Sequence, residues 1–378
     1  MRVQVGTADL AAAAAFAARH AATRPATPVL AGVRVTAGAS DVTVTGYDYE
    51  ASSVARTPAQ VEEAGEVLVP GRMFAEILRM LPDSEVSVAA KDAGVYLESA
   101  GSQFTLPVLP LEDYPSVPMG ASPVGQVDAK ALGTAVSATA RIALRDETVP
   151  LLSGICLDVE PERLTFTTTD RYRVACHHVG WQPATTTEPV SAVVPARLLA
   201  EAVRGLTGSP QLSLGLDTAE ERRLTLATET AASTIRLLDG SYPDVLRKMP
   251  TSFAGRLVVE RDALAAAVRR IALVADEYAA VLLELGADGV VVSASSDEDT
   301  RGRTRLAGVQ EGEPETVSMN VRYLVDGLAC VDGPYARLSY QQGVRPLLIE
   351  GCADAAGAEV NANALYFAMP RTLPAGRT

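Results

Sequence analysis

Val69-Pro-Gly-Arg-Met-Phe-Ala-Glu-Ile-Leu-Arg-Met-Leu81 decides how this chain is read, because the stretch occurs again. It returns as Val194-Pro-Ala-Arg-Leu-Leu-Ala-Glu-Ala-Val-Arg-Gly-Leu206 and, more faintly, as Met319-Asn-Val-Arg-Tyr-Leu-Val-Asp-Gly-Leu328. Pro70, Pro195 and Asn320 follow one another at steps of 125 residues, and so do Arg72, Arg197 and Arg322. A helix-opening unit that recurs at a third of the chain's length marks an internal repeat. The surroundings recur with it. A helix from about Asp9 to His20 precedes the expected strand Val29-Leu-Ala-Gly-Val-Arg-Val35, as a helix from about Asp128 to Ala143 precedes its parallel, Leu151-Leu-Ser-Gly-Ile-Cys-Leu157. β-Branched or alternating runs such as Val42 to Thr45 and Leu164 to Thr169 read as strands, and the third copy opens with a helix from Asp262 to Ala275. The expected class is α+β: three tandem domains, 1–121, 122–251 and 252–378, each with two helices packed on a mostly antiparallel sheet.

Composition narrows the function. Of the 378 residues, 48% are hydrophobic and 21% charged, the balance of an ordinary globular protein. No apolar run reaches the ~18–20 residues of a membrane helix, so no membrane association is expected. Arg2 with the run Leu10 to Ala18 imitates the start of a secretory leader. Arg2-Val-Gln-Val5 alternates like a strand, however, and Asp9 precedes the run, so a strand and an alanine-rich helix are expected instead. Cys156, Cys176, Cys330 and Cys352 form no CxxC pair, and only His20, His177 and His178 could join them in a metal site. The expectation is a reduced, cytoplasmic chain without metal or cofactor. A net charge of −13 argues against a protein that coats nucleic acid, but not against a local basic lining.

Such a lining is visible in the repeat. Arg72 and Arg79 are seven apart and share a helix face, as do Arg197 and Arg204. Glu76 and Glu201 stand between them, so these faces could be ion-paired solvent surfaces. Spacing alone favours the solvent-face reading, and recurrence of the pattern in an acidic chain is what speaks for phosphate contacts. No GxxxxGK[ST] loop, GxSxG elbow or HExxH helix is present, so no catalytic activity is expected. Asp41, Asp48, Glu62-Glu63, Asp297-Glu-Asp299 and Glu311 to Glu315 are expected in solvated loops or turns. His177-His178 is expected to be a structural or exposed pair.

With these residues in view, the chain resembles the bacterial beta sliding clamp, the processivity subunit of the replicative DNA polymerase. The resemblance is carried by Arg24-Pro-Ala-Thr-Pro-Val-Leu30, Thr45-Gly-Tyr-Asp-Tyr-Glu50, Val69-Pro-Gly-Arg72, Tyr114-Pro115 and Leu152-Ser-Gly154. Thr168-Thr-Asp-Arg-Tyr-Arg173, Gly240-Ser-Tyr-Pro-Asp244 and Met369-Pro370 extend it over the whole chain. It implies the DNA-clamp fold in three copies and a head-to-tail homodimer closed as a ring around duplex DNA, held without reading sequence. Arg24, Arg72, Arg79, Arg141, Arg145, Arg197 and Arg204 would then face DNA. Phe104 and Leu106 would meet Leu273 and Val274 of the next copy. The replicative polymerase, the clamp loader and other clamp-binding-motif proteins would dock peptides between the second and third domains. That pocket would comprise Leu152, Thr169, Arg171, Tyr172, Arg173, Val174, Pro243, Arg247, Lys248, Asn320, Tyr323, Val344, Met369 and Pro370.

Three departures stand out. The family usually has glycine where Arg171 stands and an apolar residue where Lys248 stands, and its chains generally end near the Met-Pro pair, whereas Arg371 to Thr378 continue here. They suggest a specialised duplicate clamp whose pocket rejects an inhibitory peptide or antibiotic while still taking clients. Other readings are a clamp-fold peptide binder outside replication, and an enzyme on a triplicated scaffold.

Overall fold

The computed structural model describes residues 1–21, 27–91, 94–146, 148–185, 188–206, 208–274, 280–295 and 300–372. Arg24 and Asp297-Glu-Asp299 lie outside the described residues. Six α-helices occur among the described residues, two in each repeat: α1 (Thr7–Ala17), α2 (Gly71–Met80), α3 (Ala129–Ala140), α4 (Ala196–Leu206), α5 (Arg261–Ile271) and α6 (Val321–Cys330). None is long and apolar enough to cross a membrane.

Sequence periodicity explains them. On α2, Gly71, Phe74 and Leu78 are buried while Arg72, Met73, Arg79 and Met80 face out, the i, i+3, i+7 stripe of a helix packed on one side. Pro70 enters α2 at φ −56°, which its ring already favours. The third copy has Asn320 instead, and its Oδ1 accepts from the amides of Arg322 (2.9 Å) and Tyr323 (3.3 Å), a side-chain cap. α3 stops at Ala140, short of the expected Ala143, where the Thr139 hydroxyl donates back to the Ala135 carbonyl at 2.7 Å.

Two expectations about strands need correction, and both recur with the repeat. Val29 to Ala31 and Leu151 to Ser153 are 3-10 turns, Pro28–Ala31 and Pro150–Ser153, and the strands begin at Gly32 and Gly154. Proline at the first position of each turn presets the φ of a tight helical turn. Several acidic residues expected in loops also lie on strands: Asp41 on Asp41–Tyr47, Glu62-Glu63 on Gln60–Glu63, Glu311 on Gly308–Gly312 and Glu315 on Glu315–Asn320. Gln60–Glu63 and Gly308–Gly312 each pair on one side only among the described residues, and charge on such an edge discourages pairing with foreign strands.

The described chain forms two compact units. The first comprises Met1–Gly133, Trp181–Thr187 and Arg197–Leu237. Its smaller sheet orders Gln60–Glu63, Arg2–Gly6, Glu85–Lys91, Gly94–Ser99 and Ser102–Pro107. Its larger sheet runs from Gly65–Pro70 through Gly32–Ala37, Asp41–Tyr47 and Ala51–Pro58. There Ala51 to Ala55 pair with Ile235 to Ala231, and the sheet continues through Arg223–Ala227 and Gln211–Asp217 to Pro123–Asp128. Gly46 lies where α1 ends against this sheet. A Cβ there would stand 2.0 Å from the Ala17 carbonyl oxygen, so no larger residue fits.

The second unit comprises Thr134–Gly180, Glu188–Ala196 and Leu238–Thr378. Its larger sheet orders Val190–Pro195, Gly154–Val159, Arg163–Thr169 and residues 173–180 of the long strand Arg173–Pro183. Arg173 to His177 pair with Ala368 to Ala364, and the sheet continues through Leu347–Cys352, Tyr335–Tyr340, Gly255–Glu260 and Gly308–Gly312. A four-stranded sheet orders Arg301–Leu306, Gly289–Ser295, Ala280–Gly286 and Glu315–Asn320. All these pairings are antiparallel. Each large sheet draws strands from two neighbouring repeats, which is why compactness divides the chain in two while the sequence repeats three times.

Candidate nucleic-acid and peptide surfaces

In the first unit, Arg72 on α2 and Arg197 and Arg204 on α4 come together with Arg19 at the end of α1. They surround a shallow recess of about 640 Å³ that also holds His20, Asp48 and Glu201. Arg19 donates from Nη1 to the Glu201 carbonyl at 3.1 Å and lies over the Phe16 ring at 5.9 Å. Arg197 pairs with the Glu201 carboxylate at 3.1 Å, the i,i+4 contact that the spacing offered. Each of the four arginines is exposed, so a phosphate could approach them directly. Arg79 is exposed on the same helix as Arg72 but does not line the recess.

Arg141 and Arg145 belong to the second unit. Both are exposed beyond α3, and it is Arg141 that the early stop at Ala140 leaves off the expected helix. Arg141 is half exposed and lies 4.0 Å from Asp326. In the third repeat Ala329 is exposed where the other copies carry Arg79 and Arg204.

The expected peptide residues centre on the turn Thr169 to Arg173 in the second unit. Asp170 accepts from the amides of Tyr172 (3.1 Å) and Arg173 (3.0 Å) and from Arg173 Nε (2.7 Å). Thr169 Oγ1 accepts from the Arg171 amide at 3.1 Å and donates to the Arg173 carbonyl at 2.7 Å. The Met369 amide straps the turn from outside by donating to the Tyr172 carbonyl at 2.8 Å. These bonds hold Arg171 at φ +80°, a left-handed conformation that a side chain resists and glycine accepts.

Beside the turn, Tyr172 is 60% exposed and stacks on Tyr323 with centroids 6.4 Å apart. The Arg173 guanidinium lies over the Tyr323 ring, 4.5 Å from its centroid. Arg173 itself is buried, with Nη1 2.7 Å from Asp326 Oδ2. Burial works against its charge, but the Tyr366 hydroxyl and the Asp326 and Asp170 carboxylates outweigh burial and raise its pKa. Val174 packs with Leu348 and Phe367, and Val245, Leu246 and Met249 close this apolar floor. Arg247 and Lys248 are exposed on the adjoining 3-10 turn Leu246–Lys248.

The remaining expected pocket residues lie outside this apolar cluster. Asn320 uses its side-chain oxygen as the α6 cap. Leu152 is buried, Val344 is 48% exposed, and neither belongs to the Val174 cluster. Pro243 lines a separate 390 Å³ cavity with Tyr242, whose hydroxyl accepts from the Thr169 amide at 2.9 Å. Asp326, Phe367 and Leu348 were not anticipated. Only Asp326 carries a local signal, its i,i+4 spacing from Arg322, and the pair is 3.6 Å apart.

Of the expected dimer residues, Phe104 is 39% and Leu273 85% exposed, and Val274 is partly buried. Leu106 is fully buried among the residues of its own unit, so it can only support an interface from beneath.

The free cysteines and the histidine pair are not poised for chemistry. All four thiols are buried and unpaired by disulfides, and burial first, then Asp158, pushes Cys156 up to about 12. Among the described residues no group of three or more His, Cys, Asp or Glu is arranged to hold a metal. His177 and His178 lie on Arg173–Pro183, and burial lowers the pKa of each. The folded state therefore resists protonating them, and their contribution to stability is present above the unfolded value near 6.5 and lost as pH falls below it. Unfolding free energy should fall as pH drops below about 6.5, the unfolded value, by at most ~1.4 kcal/mol per pH unit for each histidine. His177→Asn should flatten that slope in denaturant titrations; an unchanged slope would assign it to other groups.

Comparison with known proteins agrees with this architecture. Family models of the DNA polymerase III beta subunit match in series: its N-terminal domain at residues 1–118, central domain at 126–244 and C-terminal domain at 247–364. The beta sliding clamp of Streptomyces coelicolor is 34% identical over 372 residues, 98% of this chain and 99% of the relative. The beta sliding clamp homolog GriR of Streptomyces muensis is likewise 34% identical, over 370 residues and the same shares of the two chains. Two solved structures share the fold with TM-scores of 0.91, each spanning 99% of this chain and 100% of the other. They are the sliding clamp of Bacillus subtilis, at 22% identity, and that of Pseudomonas aeruginosa bound to griselimycin, at 23%. The chain belongs to the DNA polymerase III beta subunit family, the bacterial beta sliding clamps.

Proposed function

We propose that this chain works as a DNA sliding clamp in the cytoplasm: a non-catalytic processivity factor that encircles duplex DNA and docks the replicative polymerase, the clamp loader and other clients. The observation that carries the reading is the convergence of Arg19, Arg72, Arg197 and Arg204 on one exposed recess of a chain with net charge −13. An acidic exterior repels DNA, so a cationic recess can hold the backbone without the protein coating it.

Ring closure as a head-to-tail homodimer is supported by two open strand edges. Ser102–Pro107 and Arg301–Leu306 each end a sheet among the described residues, and exposed Phe104 and Leu273 belong to the same two units. Pairing them between copies would cover both edges. The three repeats would be the domains 1–121, 122–251 and 252–378, with Arg24, Arg79, Arg141 and Arg145 adding to the DNA-facing set. The test is topological. Once loaded, the protein should stay on nicked circular DNA and be lost after the circle is cut; equal retention on both forms would refute encirclement.

Client peptides would lie on the Val174 floor against Tyr172 and Tyr323, an apolar surface edged by a few polar groups. Griselimycin is bound by the Pseudomonas aeruginosa clamp, and this surface is where we place such a ligand.

A second reading, a duplicate clamp selective against one pocket ligand, is favoured by Arg171. This residue holds a left-handed backbone at the pocket rim, which selection for stability alone would fill with glycine. Lys248 adds a second cation nearby in sequence to Arg247. Arg171→Gly should leave client-peptide affinity within about 2-fold and raise griselimycin affinity about 10-fold, in proportion to a relieved clash of ~1.4 kcal/mol. Equal titrations of both proteins with both ligands would end the selective reading.

A further inference from the structure

Asp326 is the third repeat's counterpart of Glu76 and Glu201: each stands four residues after the recurring arginine, Arg322, Arg72 or Arg197. The two glutamates lie on the outer faces of α2 and α4, Glu76 exposed and Glu201 partly so. The shorter aspartate is buried and turned toward the peptide surface. Its Oδ2 accepts from Arg173 at 2.7 Å and lies 3.6 Å from Arg322 Nε, while its Oδ1 is 4.0 Å from Arg141. Arg173 is buried, whereas the Arg141 and Arg322 side chains are 46% and 56% exposed. One carboxylate thus serves two solvent-facing arginines and the arginine that holds the pocket rim.

We infer that Asp326 is a positioning residue that couples DNA phosphate at Arg141 and Arg322 to peptide on Tyr172 and Tyr323. The inference rests on the clamp reading. A carboxylate has few acceptor sites, and three guanidiniums compete for this one. A phosphate that draws Arg141 and Arg322 outward leaves Asp326 to Arg173 alone. That pairing fixes the guanidinium over Tyr323 and, through Asp170, fixes the turn that presents Tyr172. A peptide that orders Tyr172 and Tyr323 keeps Asp326 on Arg173 in the same way and releases the two exposed arginines to phosphate. Two sites, two arrangements and different contacts in each are what a coupling free energy requires, and the coupling must be reciprocal.

The test uses the full chain at low salt, a short blunt DNA duplex, and a fluorescein-labelled peptide with leucine and phenylalanine anchors. Duplex at saturation should tighten the peptide about 5-fold, and the peptide should tighten the duplex by the same factor. Asp326→Asn should bring both factors to one. Because that change touches a buried group, Arg322→Gln, on an exposed side chain, provides a second arm and should cut the factor to about 2-fold. A purely structural Asp326 would weaken binding without altering the reciprocal factor. If both ligands bind and the wild-type factor is one, or if Arg322→Gln keeps the full factor, the coupling is refuted while the clamp reading stands. If neither ligand binds the wild-type protein, the clamp reading itself fails and the coupling with it.

Discussion

Arg173→Met is expected to cost about 3–5 kcal/mol of unfolding free energy, the usual cost of stranding a buried charge partner. Arg173 is 4% exposed, and both Asp170 and Asp326 lie 2.7 Å from it. Without the guanidinium, Asp326 retains only longer contacts to Arg322 and Arg141, and Asp170 retains backbone amides alone. The methionine fills most of the volume, so the loss reports the charge and not a cavity. Urea titration with the m-value held constant measures it. A loss under about 1 kcal/mol would mean that solvent reaches the network and screens it. Adding Asp326→Leu should recover part of the loss, because an apolar pair leaves less charge stranded.

The second large effect concerns DNA. Changing Arg72, Arg197 and Arg204 together to glutamine should lower the slope of log K against log salt by about 3, near one unit for each phosphate no longer neutralised. The weakening should be uniform across DNA sequences, because guanidiniums on phosphates carry no base information. All three side chains are exposed, so stability should stay within about ±0.5 kcal/mol for each substitution. Fluorescence anisotropy over a salt series, with thermal unfolding as control, reads both quantities. An unchanged slope in a folded triple variant would move the DNA path away from this recess.

The helices α2 and α4 were legible because two independent periods agree on them, the 125-residue step and the helical stripe of residues such as Phe74 and Leu78. By contrast, α1 is a uniformly apolar, alanine-rich run from Leu10 onward. What stayed hidden depends on distant partners. Val29 to Ala31 and Leu151 to Ser153 are apolar runs that suit a strand or a single turn equally, and the turn wins where proline opens it. Ala51–Pro58 is too polar to read as a strand, yet it lies in the interior of a sheet because Ala231–Arg236 of the next repeat completes it. The Thr169 to Arg173 turn was recognisable through its motif, and Tyr172 and Tyr323 do meet. Phe367, Leu348 and Asp326 were not, because their roles come from strands and helices brought together over long separations. Leu106 shows the opposite limit: the sequence alone does not distinguish an apolar residue buried within its own unit from one left exposed at the surface, as Phe104 is.

The strand pairings that join Ala51 to Ala55 with Ala231 to Ile235, and Arg173 to His177 with Ala364 to Ala368, bear on inheritance. The middle repeat supplies one strand to each seam. Grafting that repeat from a relative would therefore renew one side of both seams while leaving the other sides ancestral. Backbone hydrogen bonds tolerate such an exchange, but the side chains that pack above and below each seam do not. Three repeats that share strands in this way are not independent units. Recombination between clamps should succeed at the ends of the chain more readily than in its middle.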